Sequence, residues 1–223
     1  MLNGILIGRG EAMNNISKNQ IGNSAHKSFK NNIKYLKKED YKKLKECIDN
    51  FRNKLIISLL YSSGCRVSEI AMMKIENIDF EAGFIHIPAE DTKTNETRVV
   101  RVGRELLNDL VSYLKIEKRR KGYLFATRGE KNITDRRIRH LVYKYAVKAD
   151  IQEIYGYDKN NRPLYTVTPH TLRHTHIVHA LMNQIPITAV QKQVGHKNLA
   201  TTQIYCDLAP EQVKQAYDKA GFE

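Results

Sequence analysis

A histidine and a tyrosine nine positions apart, close to the end of the sequence, are the first residues with a chemistry to explain. They lie in "QVGHKNLATTQIYCDL", where His196 directly follows Gly195 and Tyr205 comes after two threonines. A glycine there ends one helix and lets His196 leave it, with Tyr205 on the next helix. A phenol has an unperturbed pKa of about 10. Tyr205 therefore attacks well only where cationic groups stabilise the charge formed on an electrophile such as a phosphate.

Two arginines have the setting that a phosphate requires. Arg66 opens a predicted helix directly after the glycine turn of "SGCRVSE", and an arginine fork beside a helix N-terminus favours phosphate. Taken alone, this stretch favours a surface arginine paired with Glu69. Arg173 follows His170 by three residues in "PHTLRHTHIVHALM", so the two side chains share one helical face.

The same stretch carries four histidines within ten residues, which raises the question of a metal site. His170 and His174 are four apart, but no glutamate lies among the histidines and no cysteine lies nearby. A zinc site is therefore disfavoured, and we expect no metal and no cofactor. His174, His176 and His179 are interpreted as residues that pack the helix or support the site from behind.

One lysine lies in the polar turn "AEDTKTNE" between two predicted strands. A lysine on such a turn is usually solvated. Lys93 could also swing over a bound ligand and donate a proton to it.

The overall charge indicates the kind of partner. The 223 residues include 37 Lys and Arg against 24 Asp and Glu, for a net charge of +13. This excess favours a polyanion, most often nucleic acid. Binding to a membrane surface would need a strongly apolar amphipathic helix, which the sequence lacks. No apolar run approaches the roughly 20 residues of a membrane span, and the N-terminus lacks a signal-peptide pattern, so we expect an intracellular protein.

Hydrophobic periodicity predicts a mainly helical chain with a small antiparallel sheet. Helical spacing extends over 35–50, 53–64, 104–120, 134–150, 171–183 and 187–194, around Tyr205 and from Pro210. The period changes to two in "FIHIP" and "TRVVRV", and short extended pieces flank a turn at 158–162. Residues 1–32 are polar with little periodicity and read as a flexible tail or linker. Residues 33–223 are expected to form the folded domain.

Together these stretches resemble the motifs of the tyrosine recombinases, also called the phage integrase family, with the Xer recombinases the nearest pattern. The family motif "TGLRVSEL" corresponds to "SSGCRVSEI", "HxLRHTxATHLL" to "HTLRHTHIVHAL", and "LGHxxxxTTxxY" to "VGHKNLATTQIY". The hairpin lysine of "GKGxKxRxVPL" falls in register with Lys93 of "TKTNETRVVRV", although threonines replace the flanking glycines. The resemblance covers roughly 33–220 and implies the α+β catalytic-domain fold of that family, without its full core-binding domain.

The resemblance implies a site-specific recombinase or integrase that cuts and rejoins duplex DNA without metal or ATP. Tyr205 would attack the scissile phosphate, leaving a 3'-phosphotyrosyl link and a free 5'-hydroxyl. Arg66 and Arg173 would stabilise the charge of the transition state. Lys93 would protonate the leaving 5'-oxygen.

The two remaining site residues are histidines. His170 would accept a proton near Tyr205 or contact the phosphate, and His196 would hydrogen-bond the phosphate. Glu69 would orient Arg66 or His170. The family pattern leaves open whether Tyr205 attacks in its own protomer's site or in a neighbour's.

The resemblance also implies partners. They are double-stranded DNA, further copies of the chain in a tetramer on paired DNA sites, and a separate core-binding domain or accessory protein. We expect a cytoplasmic, nucleoid-associated protein that does not bind a membrane.

Three alternatives belong to other functional classes. One is a catalytically silent or partner-dependent DNA-binding fragment, which the filled catalytic positions disfavour. A second is type IB topoisomerase activity, which shares the chemistry, although the motifs read as Xer-like. The third is a zinc-dependent hydrolase built on the histidine cluster.

Overall fold

A computed structural model describes residues 34–92, 95–127, 129–198 and 200–205. Its helices are α1 (Lys38–Glu46), α2 (Phe51–Ser63), α3 (Val67–Met72), α4 (Arg104–Ile116), α5 (Asp135–Lys148), α6 (Pro169–Met182), α7 (Ile187–Val194) and α8 (Ala200–Gln203). Its strands are β1 (Ile78–Asp79), β2 (Phe84–Ile87), β3 (Arg98–Arg101), β4 (Ile154–Tyr157) and β5 (Pro163–Tyr165). The predicted tail over 1–32, Lys93 and the predicted helix from Pro210 lie outside the described ranges.

The predicted class, mainly helical with a small antiparallel sheet, is confirmed. Strands β1, β2 and β3 form one antiparallel sheet in chain order, with Ile85 opposite Val100. Both of these side chains are fully buried, whereas Phe84 and His86 are exposed, as the period of two predicts. Strands β4 and β5 form a separate hairpin. Its turn closes where predicted, because the Asp158 carboxylate accepts from the backbone N–H of Asn160 and Arg162 at 2.8 and 2.9 Å.

Helix α2 forms the centre of the core. Its segment 55–60 is apolar on every side apart from Ser58, and all six side chains are buried. A helix that is apolar all round must be covered by other elements. Helices α4 and α6 pack directly against it. Asn50 caps the N-terminus of the helix, because its side chain accepts from the backbone N–H of Asn53 at 3.0 Å.

The C-terminal end of α2 is placed by a glycine. Gly64 has a φ of +63°, in the left-handed region that favours glycine. A Cβ at this position would lie 2.6 Å from Cδ2 of His176 on α6 and 3.0 Å from Cγ1 of Val194 on α7. Gly64 therefore lets three helices meet at one point.

Helix α6 begins two residues earlier than predicted, at Pro169. Pro is well suited to the first helical position, because its fixed φ matches the helix and its missing N–H would be unpaired there. Thr168 caps the helix, because its hydroxyl accepts from the backbone N–H of Thr171 at 3.2 Å. In return, the backbone N–H of Thr168 donates to the Thr171 hydroxyl at 3.2 Å. This start places His170 in the first turn and Arg173 about one turn later.

We predict that Gly64→Ala destabilises the fold by more than about 1 kcal/mol, because alanine meets both the left-handed backbone and the His176 ring. Gly103→Ala is the matched control, since Gly103 has a φ of −71° and a Cβ added there would have no neighbouring atom within 4 Å. Urea denaturation of both variants measures the difference. Equal changes in the free energy of unfolding would contradict the role given to Gly64.

Candidate active site

Four of the six predicted site residues line one cleft of about 650 Å³. They come from different elements: Arg66 from the turn before α3, His170 and Arg173 from α6, and His196 from the turn after α7. Lys93 lies outside the described residues. Tyr205 is not among the residues that line the cleft.

Arg173 forms the inner wall of this cleft. Its side chain is buried, with 3% of the residue exposed, and it donates to the carbonyl oxygens of Gly64 and, at 2.7 Å, Val194. These carbonyl groups lie at the C-terminal ends of α2 and α7, where helices leave acceptors unpaired and carry partial negative charge. Burial and then the charge of Arg66 lower the pKa of Arg173 to about 10. The guanidinium is therefore still protonated at neutral pH, in a fixed position facing the cleft.

Arg66 is held by its own helix. Its Nη1 donates to Glu69 at 3.1 Å, and its backbone N–H donates to the same carboxylate at 2.7 Å. A second contact joins Nη2 to the Gly195 carbonyl oxygen at 3.5 Å. The expected pairing with Glu69 is therefore present, and Arg66 lines the cleft as well. The ion pair fixes the guanidinium rather than removing it from the site.

Arg98 is an important residue of the site region that the sequence reasoning missed. It donates to both carboxylate oxygens of Glu69, at 2.7 and 2.6 Å, and through Nε to the Gln193 carbonyl at 3.3 Å. Its side chain also packs on Gly195, where a Cβ would lie 2.9 Å from Cδ of Arg98. One signal was available: in "RVVR" Arg98 shares a strand face with the buried Val100.

Glu69 is an ionised carboxylate between two arginines. It is 1% exposed, and burial alone would raise its pKa. The hydrogen bonds and charge of Arg98, together with Arg66, outweigh burial and lower the pKa of Glu69 below its ordinary value. The carboxylate therefore stays charged and holds both guanidinium groups in place.

His196 is oriented by two contacts. Its Nδ1 lies 3.0 Å from the hydroxyl of the buried Thr202, and its carbonyl accepts from Gln191 at 3.0 Å. Burial, followed by the charges of Arg173 and Arg66, lowers the pKa of His196 to about 4. The ring is therefore neutral at neutral pH. Because Thr202 engages Nδ1, Nε2 is the nitrogen that can face a ligand in the cleft.

Tyr205 lies in a turn rather than within a helix, which corrects the prediction. Helix α8 ends at Gln203, and the backbone N–H of Tyr205 donates to the Thr202 carbonyl at 3.1 Å. Threonines disfavour helix interiors, and the Thr202 hydroxyl is committed to His196. The helix is therefore a single turn, and Tyr205 is directed inward from its end.

The Tyr205 hydroxyl is hydrogen-bonded to Nδ1 of His174. Tyr205 is 2% exposed, and burial, only partly offset by the charge of Arg173, raises its pKa to about 12. The ring of His174 in turn contacts that of His170, with centroids 4.2 Å apart. His174 thus connects the tyrosine to a residue of the cleft, a contact that the sequence reasoning did not anticipate.

The other two histidines of α6 make packing contacts, as expected from the sequence. His179 is buried, and its Nδ1 lies 2.9 Å from the hydroxyl of Tyr61. His176 packs on Gly64. Within the described ranges, no three His, Cys, Asp or Glu side chains group as metal ligands. Among the helices described, none has the length and apolar character needed to cross a membrane.

Comparison with known proteins gives one consistent family. The model of the phage integrase family matches residues 34–212. Tyrosine recombinase XerA of Pyrococcus horikoshii is 35% identical over 190 residues, which are 84% of this chain and 61% of that protein. Tyrosine recombinase XerD of Staphylococcus aureus is 29% identical over 178 residues, 77% of this chain and 55% of that protein. The chain thus spans about three-fifths of the length of the curated relatives it matches.

Solved structures agree with this family at the level of the fold. A crystal structure of XerA recombinase matches with a TM-score of 0.67 and 28% identity, covering 85% of this chain and 64% of that one. The XerH site-specific recombinase, solved in a post-cleavage complex with its palindromic difH substrate, matches with a TM-score of 0.64 and 20% identity. That match covers 82% of this chain and 52% of XerH.

We predict that Arg98→Met lowers the free energy of unfolding by about 3 kcal/mol, because it leaves the buried Glu69 carboxylate without its bidentate partner. Arg101→Met, an exposed arginine on the same strand, should cost less than about 1 kcal/mol. The double variant Arg98→Met/Glu69→Gln should lose less than the sum of the single variants. Urea denaturation tests all four proteins, and additive losses would contradict the buried pair.

A second prediction concerns pH. Burial lowers the pKa of His176 to about 4, so the unfolded chain binds a proton there below about pH 6.5 while the folded chain stays neutral. The free energy of unfolding should therefore decrease as pH falls from about 6.5 to 4, with up to about 1.4 kcal/mol per pH unit from this residue. His176→Gln should reduce that slope in urea titrations at pH 7, 6 and 5. An unchanged slope would mean that His176 is protonated in the folded state.

Proposed function

The chain belongs to the phage integrase family, and we propose on this premise that it cuts and rejoins duplex DNA through a 3'-phosphotyrosyl intermediate. The observation that carries the proposal is the cleft itself. Arg66 and Arg173 line the cleft, and their guanidinium groups are held by the Glu69 carboxylate and by carbonyl groups at helix ends. The buried Tyr205 is connected to the cleft through His174. This is the set of groups that a phosphodiester needs for attack by a phenol without a metal.

The charge supports a DNA phosphate as the substrate. The chain carries a net charge of +13, and Arg139 of α5 lines the cleft beside Arg66 and Arg173. The related XerH was solved bound to a difH substrate. We therefore assign double-stranded DNA as the partner of this cleft, with binding that weakens steeply as salt rises.

Arg66 and Arg173 are assigned to the non-bridging oxygens of the scissile phosphate. Their guanidinium groups are already held by Glu69 and by the carbonyl groups of Gly64 and Val194. Groups fixed in advance stabilise the transition state without the cost of reorganisation at the moment of reaction. The two histidines that line the same cleft, His170 and His196, are assigned as further phosphate contacts.

Tyr205 is assigned as the nucleophile and Lys93 as the acid that protonates the leaving 5'-oxygen. The connection that carries Lys93 joins β2 to β3, and β3 is tied to the site because Arg98 binds Glu69 and Gln193. The base of the hairpin is thus anchored beside the cleft, which supports a reach of Lys93 over the phosphate.

The wider setting follows from the family. We assign residues 33–223 to the catalytic domain and residues 1–32 to a tail or linker. The active complex would be a tetramer of this chain on paired DNA sites. A separate core-binding domain or accessory protein would make further contacts to the DNA. A DNA substrate implies action in the cytoplasm, at the nucleoid.

We predict that the protein forms a covalent adduct with a nicked "suicide" duplex, in which the cut strand loses a short 5'-hydroxyl fragment and cannot be rejoined. The substrate is a pool of nicked duplexes with random sequence around the nick, and the captured DNA is sequenced. The adduct should persist in EDTA and be absent in Tyr205→Phe. Tyr157→Phe, at an exposed tyrosine, is the matched control. Arg173→Ala or Arg66→Ala should slow adduct formation by about 10²- to 10³-fold.

The outcomes separate the alternatives. Enrichment of particular sequences supports a site-specific recombinase, whereas adducts without enrichment support a topoisomerase-like enzyme. DNA binding without any adduct supports a binding-only fragment, and cleavage that EDTA abolishes supports a zinc hydrolase.

A further inference from the structure

We propose that His174 is a further catalytic residue, which takes the phenolic proton of Tyr205 as its oxygen attacks the phosphate. The inference rests on the proposed function and deepens it. The family motifs imply that His170 accepts that proton or contacts the phosphate, and they imply no chemical task for His174.

The geometry carries the assignment. Nδ1 of His174 is hydrogen-bonded to the Tyr205 hydroxyl, which is the reacting atom. The two rings are tilted by 37° with centroids 5.5 Å apart, and the hydrogen bond joins their polar atoms. Tyr205 is 2% exposed, and a buried hydroxyl cannot rely on bulk water as its proton acceptor. A general base must lie within hydrogen-bond reach of the proton it removes, and His174 does.

The neighbouring groups give His174 the required protonation state. Burial, followed by the charges of His170, Arg173 and His196, lowers its pKa to about 4. The imidazole is therefore neutral at neutral pH, and the tautomer protonated at Nε2 presents Nδ1 as an acceptor. A phosphate anion that enters the cleft on the side of His170 and Arg173 brings negative charge next to the ring, which stabilises the imidazolium formed in the step.

The contacts of His174 differ from those of its neighbours on α6. His170 and Arg173 line the cleft, whereas His174 is not among the lining residues and is hydrogen-bonded through Nδ1 to Tyr205 in the turn after α8. The His170 ring packs against the His174 ring at 4.2 Å and supports its orientation. Phosphate binding and proton acceptance thus fall to different histidines of one helix.

In the proposed cleavage step, the Tyr205 oxygen forms a bond to phosphorus, the bond from phosphorus to the 5'-oxygen breaks, and the phenolic proton moves to Nδ1 of His174. The leaving 5'-oxygen takes a proton from Lys93. In rejoining, the incoming 5'-hydroxyl gives its proton to Lys93 and its oxygen forms a bond to phosphorus, the bond from phosphorus to the Tyr205 oxygen breaks, and His174 returns its proton to that oxygen.

The test is single-turnover adduct formation on the captured nicked duplex at saturating protein. His174→Gln removes the base but keeps a polar side chain, and His176→Gln, a packing residue on the same helix, is the matched control. We expect His174→Gln to slow cleavage by about 10²- to 10³-fold with an unchanged Kd for the duplex. His176→Gln should cleave at the wild-type rate.

Rescue distinguishes a proton acceptor from a structural residue. A fluorinated tyrosine at position 205, whose phenol ionises nearer neutral pH, needs less help from a base and should restore most of the rate of His174→Gln. The same substitution should not rescue Arg173→Lys. A duplex with a 5'-bridging sulfur, whose thiolate leaves without a proton, should rescue Lys93→Ala but not His174→Gln.

Three results would overturn the inference while leaving the proposed function intact. His174→Gln could cleave at the wild-type rate, or fluorotyrosine at position 205 could fail to restore its rate. Fluorotyrosine could also restore the rate of His170→Gln but not that of His174→Gln. If the wild-type protein forms no adduct on any nicked duplex, the proposed function fails first and the inference fails with it.

Discussion

The guanidinium of Arg173 joins the C-terminal ends of two helices, and the rest of the site is arranged around that bond. One buried cation pairs with the carbonyl groups of Gly64 and Val194, which their helices cannot satisfy. Burying an unpaired charge is costly, but here the charge and the acceptors compensate one another. The same contacts that fix α2 against α7 therefore fix the arginine that faces the cleft, so stability and site geometry depend on one residue.

The second constraint is a balance of charge among neighbouring arginines. Burial lowers the pKa of Arg173 most, and the charges of the nearby Arg66 and Arg98 lower it further. Glu69 offsets part of this repulsion by binding Arg66 and Arg98. Three guanidinium groups against one carboxylate leave an excess of positive charge beside the cleft. A phosphodiester is an anion that can complete this balance, which links the internal ion pairs to the proposed substrate.

Some features of the site could be predicted from the sequence and others could not. Arg66 and Arg173 could be predicted because helix ends and helical periodicity have strong local signals. Arg98 was missed because strand alternation gives the face of a residue but not its partner, and Glu69 lies 29 positions away in the chain. The inward turn of Tyr205 was missed because helix α8 ends at Gln203 and Tyr205 is positioned by tertiary contacts, such as those between the Thr202 hydroxyl and His196 and between Tyr205 and His174. Such contacts depend on how α6, α7 and α8 pack, which local periodicity does not encode.

The protonation states of the site restrict the reaction that is proposed for Tyr205. Burial raises the pKa of Tyr205 to about 12 and lowers those of His174 and His196 to about 4. A free phenolate is therefore strongly disfavoured. In the proposed reaction, the proton then leaves as the bond from oxygen to phosphorus forms, and Arg66 and Arg173 hold the phosphate in line with the phenol. The burial that makes Tyr205 a weak acid would thus restrict the proposed attack to a correctly seated phosphodiester.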